Sequence, residues 1–168
     1  MKKLQLTLMA ALFAIAAFAQ NDKMFKHSGE KLDVKILKVG DWTISFTYPN
    51  ETAEQTISKY AVAKIEYASG RKEDVTEKIT ISGESDWEKV VILEDKSAAT
   101  GLKKLDEVKG KTAGFAMYQT AGSADKKSTR RLKQAAAEMG APFVLLTSEK
   151  DNQFTAQAIK KGIAYSYK

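Results

Sequence analysis

Hydrophobic and polar positions give this chain two textures, preceded by an apolar block. Leu4 to Phe18 is almost wholly apolar. From Asp33 to about Ile81 the pattern is strand-like. Val34 and Ile36 alternate with Lys35 and Leu37, Gly40-Asp41 interrupts, and Trp42, Ile44, Phe46 and Tyr48 follow at period two. Two alternating runs around a Gly-Asp turn predict a hairpin. Pro49-Asn50 closes it, Ala63 to Tyr67 alternates again up to Ser69-Gly70, and Val75 to Ile81 reads as a weaker fourth strand. Four short strands with one apolar face predict a small curled sheet or barrel.

The texture changes after the polar stretch Ser82 to Asp86, which marks the expected boundary. Val90 to Leu93 is a continuous apolar run, as in a strand covered on both faces. Leu102 to Val108 predicts a strand broken by Gly110, with Phe115 to Tyr118 as its continuation. The clearest helix is expected at about 123–139. Ser123 caps it, Asp125 faces the dipole, and Gly140 and Pro142 stop it. Its apolar stripe is Leu132, Ala135, Ala136 and Met139. Phe143 to Leu146 reads as a buried strand. Phe154–Ile159 and Ile163–Tyr167 read as a closing hairpin with Gly162 as turn or bulge. The expected class is α+β: a small antiparallel β-module over 20–83, then a β-β-α-β-β domain over 84–168.

The apolar block has the layout of a secretory signal peptide. Met1-Lys2-Lys3 is basic, the apolar run follows, and Ala17-Phe18-Ala19 ends it with small residues. As a helix the run is about 22 Å long, against roughly 30 Å of hydrocarbon. Cleavage after Ala19 is expected, giving an exported chain that begins at Gln20 and works in the periplasm or at the cell surface. No lipobox cysteine follows, so no lipid anchor is expected.

Composition narrows the chemistry. The 168 residues carry a net charge of +6, and removing Lys2 and Lys3 leaves +4. The 21 acidic residues interspersed with the basic ones speak against a nucleic-acid partner. There is no cysteine, which excludes disulfides, thiolate metal sites and cysteine nucleophiles. No later apolar run is long enough to span a membrane, and no cofactor or metal is expected.

Each chemical motif has a plainer explanation. His27, the only histidine, reads as a solvated side chain before the first strand. Ser123-Ala124-Asp125-Lys126 matches S-x-x-K without its companion motifs, and capping alone accounts for the serine. Gly110-Lys111-Thr112 imitates the end of a phosphate loop, but Leu105 stands where the loop needs glycine. Asp86 and Glu88 flank Trp87. On a strand they share one face, as glycan chemistry would use them. Lys126, Lys127, Arg130, Arg131 and Lys133 make the helix basic. Lys127, Arg130 and Arg131, spaced i, i+3, i+4, are the candidate binding residues for an anionic partner such as lipid headgroups or an acidic glycan.

Leu105-Asp106-Glu107-Val108-Lys109-Gly110, then Leu132 through Ala136 to Val144, then Lys161-Gly162-Ile163-Ala164-Tyr165 carry a resemblance. Together they resemble a family of small bacterial domains named for heavy-metal binding. A related fold occurs in the periplasmic domain of the Rcs-pathway stress-sensor lipoprotein. The resemblance implies a fold. Its metal label transfers to no residue, because this half has neither Cys nor His. The first half, from His27-Ser28-Gly29-Glu30 through Ile65-Glu66-Tyr67 to Gly70, looks like a short β-module of exported Bacteroidetes proteins. The sequence therefore predicts a non-enzymatic binding or interaction module of the bacterial envelope. Two competitors stand beside it: an anionic-surface binder through the basic helix, and a glycan-acting enzyme using Asp86 and Glu88.

Overall fold

The computed structural model describes residues 21–112, 121–152 and 157–168. Two sheets and one helix make up the described fold, broadly α+β. The first sheet contains β1 (Asp22–Lys26), β2 (Lys31–Val39), β3 (Thr43–Thr47), β4 (Gln55–Ser58), β5 (Val62–Glu66) and β6 (Lys72–Asp74). Its spatial order is β4-β3-β2-β1-β5-β6, with antiparallel neighbours throughout. The second holds β7 (Val91–Leu93), β8 (Lys103–Lys111), β9 (Phe143–Asn152) and β10 (Gln157–Ser166), in the order β7-β9-β10-β8. Only β7 and β9 among these run parallel. Helix α1 (Ala121–Glu138) lies on the second sheet.

Alternation along the strands explains the first sheet. Met24, Val34, Ile44, Phe46, Ile57, Val62 and Ile65 are buried on one face. The other face is charged. One cross-strand rung runs Asp33, Lys23, Glu66, Lys72; the next runs Lys31, Phe25, Lys64, Asp74. A bulge between Ile36 and Lys38 breaks the alternation of β2 and leaves Leu37 exposed.

The second sheet is covered on both faces, which is why Phe143 to Leu146 is apolar without alternation. Phe143 and Leu145 join a core shared with the first sheet, together with Leu93, Ala98, Ala99 and Leu102. Val144 joins Val108, Ala164 and the helix residues Leu132, Ala136 and Ala137 on the opposite face. The buried helix row is Ala124, Ser128, Leu132 and Ala136 at i, i+4 spacing, with Ala137 beside it. The expected stripe is corrected at Met139, which lies beyond the helix end and is exposed. Gly140, at φ +68°, closes the helix as expected. Its N–H donates to Ala137 O and that of Ala141 to Ala136 O, a Schellman stop.

Gly110 sets how close the helix comes. A Cβ there would meet Leu132 N at 2.7 Å and the Ser128 carbonyl oxygen closer still. β8 therefore runs through Gly110 where the sequence suggested a break. Gly162 likewise lies inside one long β10, so the expected closing hairpin is a single strand; the hairpin partner is β9, and the bulge falls at Lys161/Gly162. At Gly162 a Cβ would meet Val144 Cγ1 at 2.5 Å, so close packing, not a turn, is what this glycine serves.

Further expectations are revised. Val75 to Ile81 is not a strand but a strap leaving β6, while β1, β4 and β6 are strands that the sequence did not announce. Ser123 lies within the described helix span, Ala121–Glu138, and not at the position before its first described turn, as a cap would. Phe115–Tyr118 and the leader lie outside the described residues.

Candidate binding pocket around His27

His27 follows β1 and is buried, at 9% exposure, contrary to the solvated side chain expected from its polar neighbours. Its backbone N–H donates to Ala61 O at 3.0 Å, which turns the residue inward at the end of the ladder. The ring packs on Tyr167 from the far end of the chain, centroids 5.0 Å apart. Tyr167 in turn meets Phe143 edge-on, and Phe143 meets Tyr60. A row of four rings thus crosses the junction of the two sheets.

Thr76, on the strap, fixes the imidazole. Its Oγ1 lies 2.9 Å from His27 Nε2, 2.8 Å from Val62 O and 3.2 Å from Lys59 O. A hydroxyl has one proton, and two carbonyls compete for it, so Oγ1 accepts from Nε2–H. Burial pushes the His27 pKa down, and the positive charge of Lys78 pushes it further. The ring is therefore neutral near pH 7. The strap then reaches the second sheet, where Ile79 N donates to the Tyr167 hydroxyl at 2.9 Å.

Beside this joint is a pocket of about 520 Å³, lined by Phe25, His27, Lys64, Asp74, Thr76 and Lys78 with their strand neighbours. Register explains the assembly: Phe25, Lys64 and Asp74 are direct cross-strand partners on β1, β5 and β6. Lys64 Nζ lies 4.4 Å from the Phe25 ring centre and 3.0 Å from Glu66. Phe25 and Ala63 supply apolar surface.

The residues singled out from sequence lie elsewhere. Lys127 is exposed on α1. Arg130 lies over the Trp87 ring at 5.6 Å, and Arg131 donates to the Lys111 carbonyl. Asp86 and Glu88 sit on a 3-10 turn at Glu84–Lys89, not on a strand, so the shared face expected of alternate residues is absent. Asp86 pairs with Lys89 at 2.7 Å and accepts from Ser82 N, and these bonds hold its carboxyl below the usual range. It is an anion, not a proton donor. Thr112 exchanges hydrogen bonds with the Ala158 backbone on a strand end, so Gly110-Lys111-Thr112 builds sheet.

One more buried charge joins the helix to the sheet. Lys160 on β10 contacts Asp125 and Glu149 at 2.8 Å each. Burial opposes its charge, but the two carboxylates more than offset this and raise its pKa. Among the described residues no group of three or more His, Asp or Glu is placed to hold a metal, and no helix is long and apolar enough to cross a membrane.

The sequence signal for the pocket was faint. Met24 and Phe25 are the only apolar residues of β1, and nothing local connects His27 to Tyr167. No protein-family model, curated protein or solved structure matches the chain.

Proposed function

We propose that this chain is an exported, non-enzymatic binding module of the bacterial envelope, with its ligand seat at the pocket of Phe25, His27, Lys64 and Lys78. One observation carries the reading. The sole histidine is buried and neutral, one ring nitrogen is committed to Thr76, and the ring lines an open pocket at the joint between the two sheets. Such a mix of apolar floor and a few fixed polar groups is what small-molecule seats present. The basic start, apolar run and Ala-Phe-Ala end of the leader support export. The two resemblances support an envelope setting, and a β-β-α-β-β reading of the second half goes with them.

The competing readings have less support. In the helix face, Arg130 and Arg131 are each engaged with a neighbour, while Lys127 makes no such contact among the described residues. In the glycan-enzyme reading, Asp86 is held as an anion by Lys89. The test is a thermal-shift screen of bacterial envelope metabolites on the wild type and on Ala63→Trp, which fills the pocket. A ligand at a hundred times its Kd adds about 2.7 kcal/mol of stability. The reading expects ligands that raise the wild-type Tm and leave Ala63→Trp unmoved. Ligands that shift both proteins equally would sink it.

A further inference from the structure

The charges lining the pocket divide by whether they already have an ion-pair partner. Lys64 is paired with Glu66 and rests over Phe25. Asp74, Glu77 and Lys78 line the pocket without an ion pair among the described residues, although Lys78 Nζ lies 5.8 Å from the Tyr167 ring centre. They come from β6 and the strap, and all three are exposed. Phe25, Ala63 and Val75 provide the apolar part of the lining, with Phe25 on the same cross-strand rung as Lys64 and Asp74. A simple anion entering here meets the carboxylates of Asp74 and Glu77 beside Lys78 and a Lys64 already paired with Glu66. A simple cation leaves Lys78 unanswered and sits beside Lys64. A dipolar ligand satisfies both signs at once.

Resting on the reading of this pocket as the ligand seat, we propose that it takes a short zwitterionic peptide with an apolar side chain. The peptide's ammonium lies toward Asp74 and Glu77, its carboxylate toward Lys78, and its side chain on Phe25. The open pocket of about 520 Å³ falls within the volume range of small-molecule sites, which a di- or tripeptide fits. His27 beside it is a fixed wall, held by Thr76 and Tyr167 before any ligand arrives, so that wall needs no ordering on binding.

The experiment is calorimetric titration with the dipeptide Ala-Phe, its N-acetyl form and its C-terminal amide, with the His27 imidazole NMR signal followed in parallel. The free dipeptide is expected to bind and to shift that signal, and each blocked form to bind at least tenfold more weakly. Lys78→Gln should abolish the preference over the amide. Asp74→Asn with Glu77→Gln should abolish the preference over the acetylated form. These side chains are exposed, so the variants keep the fold. If a blocked form binds within twofold of the parent and still shifts His27, the dipolar recognition is wrong while the pocket stands. If none of the three peptides shifts His27, the peptide proposal is overturned, and the metabolite screen alone then decides the pocket.

Discussion

Gly110→Ala should be among the most damaging single-methyl additions available to this protein. The helix backbone rests directly on β8 at this residue. A Cβ would lie 2.7 Å from Leu132 N, where ordinary contact begins at 3.4 Å, a shortfall of 0.7 Å, and Ser128 O is nearer still. The obstacles are backbone atoms of α1, so no rotamer change relieves the clash. Helix and sheet must separate. A radial gap of about 0.5–1 Å forfeits a quarter to a half of each dispersion contact. The gap would open across Leu132, Ala136 and Ala137 against Val108, Val144 and Ala164. Overpacking by a methylene costs roughly 1–3 kcal/mol, and a backbone obstacle puts this case at the top of that range. For a chain of this size about 3 kcal/mol lowers Tm by roughly 6–12 °C. Gly140→Ala is the control: its φ is +68° but nothing lies within 4 Å, so only about 1–2 kcal/mol of left-handed strain is expected. Urea denaturation of both variants checks the order. A Gly110→Ala loss below that of Gly140→Ala would refute the close-packing argument.

Other outcomes follow from single contacts. Lys160→Ala should cost about 1 kcal/mol, since its partners Asp125 and Glu149 are more than a third exposed and screened; Lys160→Met, which keeps the buried stem, should cost less by the same denaturation assay. His27 is held neutral, with a folded pKa below 6.5. Its contribution to stability is complete above 6.5 and is lost as pH falls from 6.5 through the lowered folded value. The slope of stability against pH in that window should flatten in His27→Phe. The mature protein recovered from a bacterial envelope should begin at Gln20 by intact mass; a species retaining Met1 would contradict the export reading.

Local pattern revealed the elements whose signals are local. The β2–β3 hairpin follows from period-two alternation around Gly40-Asp41, α1 from its spacing and Gly140, and β9 from an apolar run covered on both faces. β1 escaped because one buried residue, Met24, sits among charges, and β6 because Lys72-Glu73-Asp74 has no apolar residue at all. Their strand character comes from β5 and β2 beside them. Gly110 and Gly162 read as breaks because a glycine that admits a neighbouring backbone looks, in sequence, like one that permits a turn. The pocket was illegible for the same reason. Its histidine is buried by Thr76 and Tyr167, remote in sequence, and its charges converge only through cross-strand register.

His27 offers the most direct test, because a single histidine gives one imidazole spin system. The ring should be neutral at pH 7, protonated at Nε2 and not at Nδ1, with ¹⁵N shifts whose titration midpoint lies below 6.5 and which move on ligand addition in the wild type but not in Ala63→Trp. An imidazole that titrates at 6.5 like a solvated side chain and ignores every ligand would contradict both the buried joint and the pocket built on it.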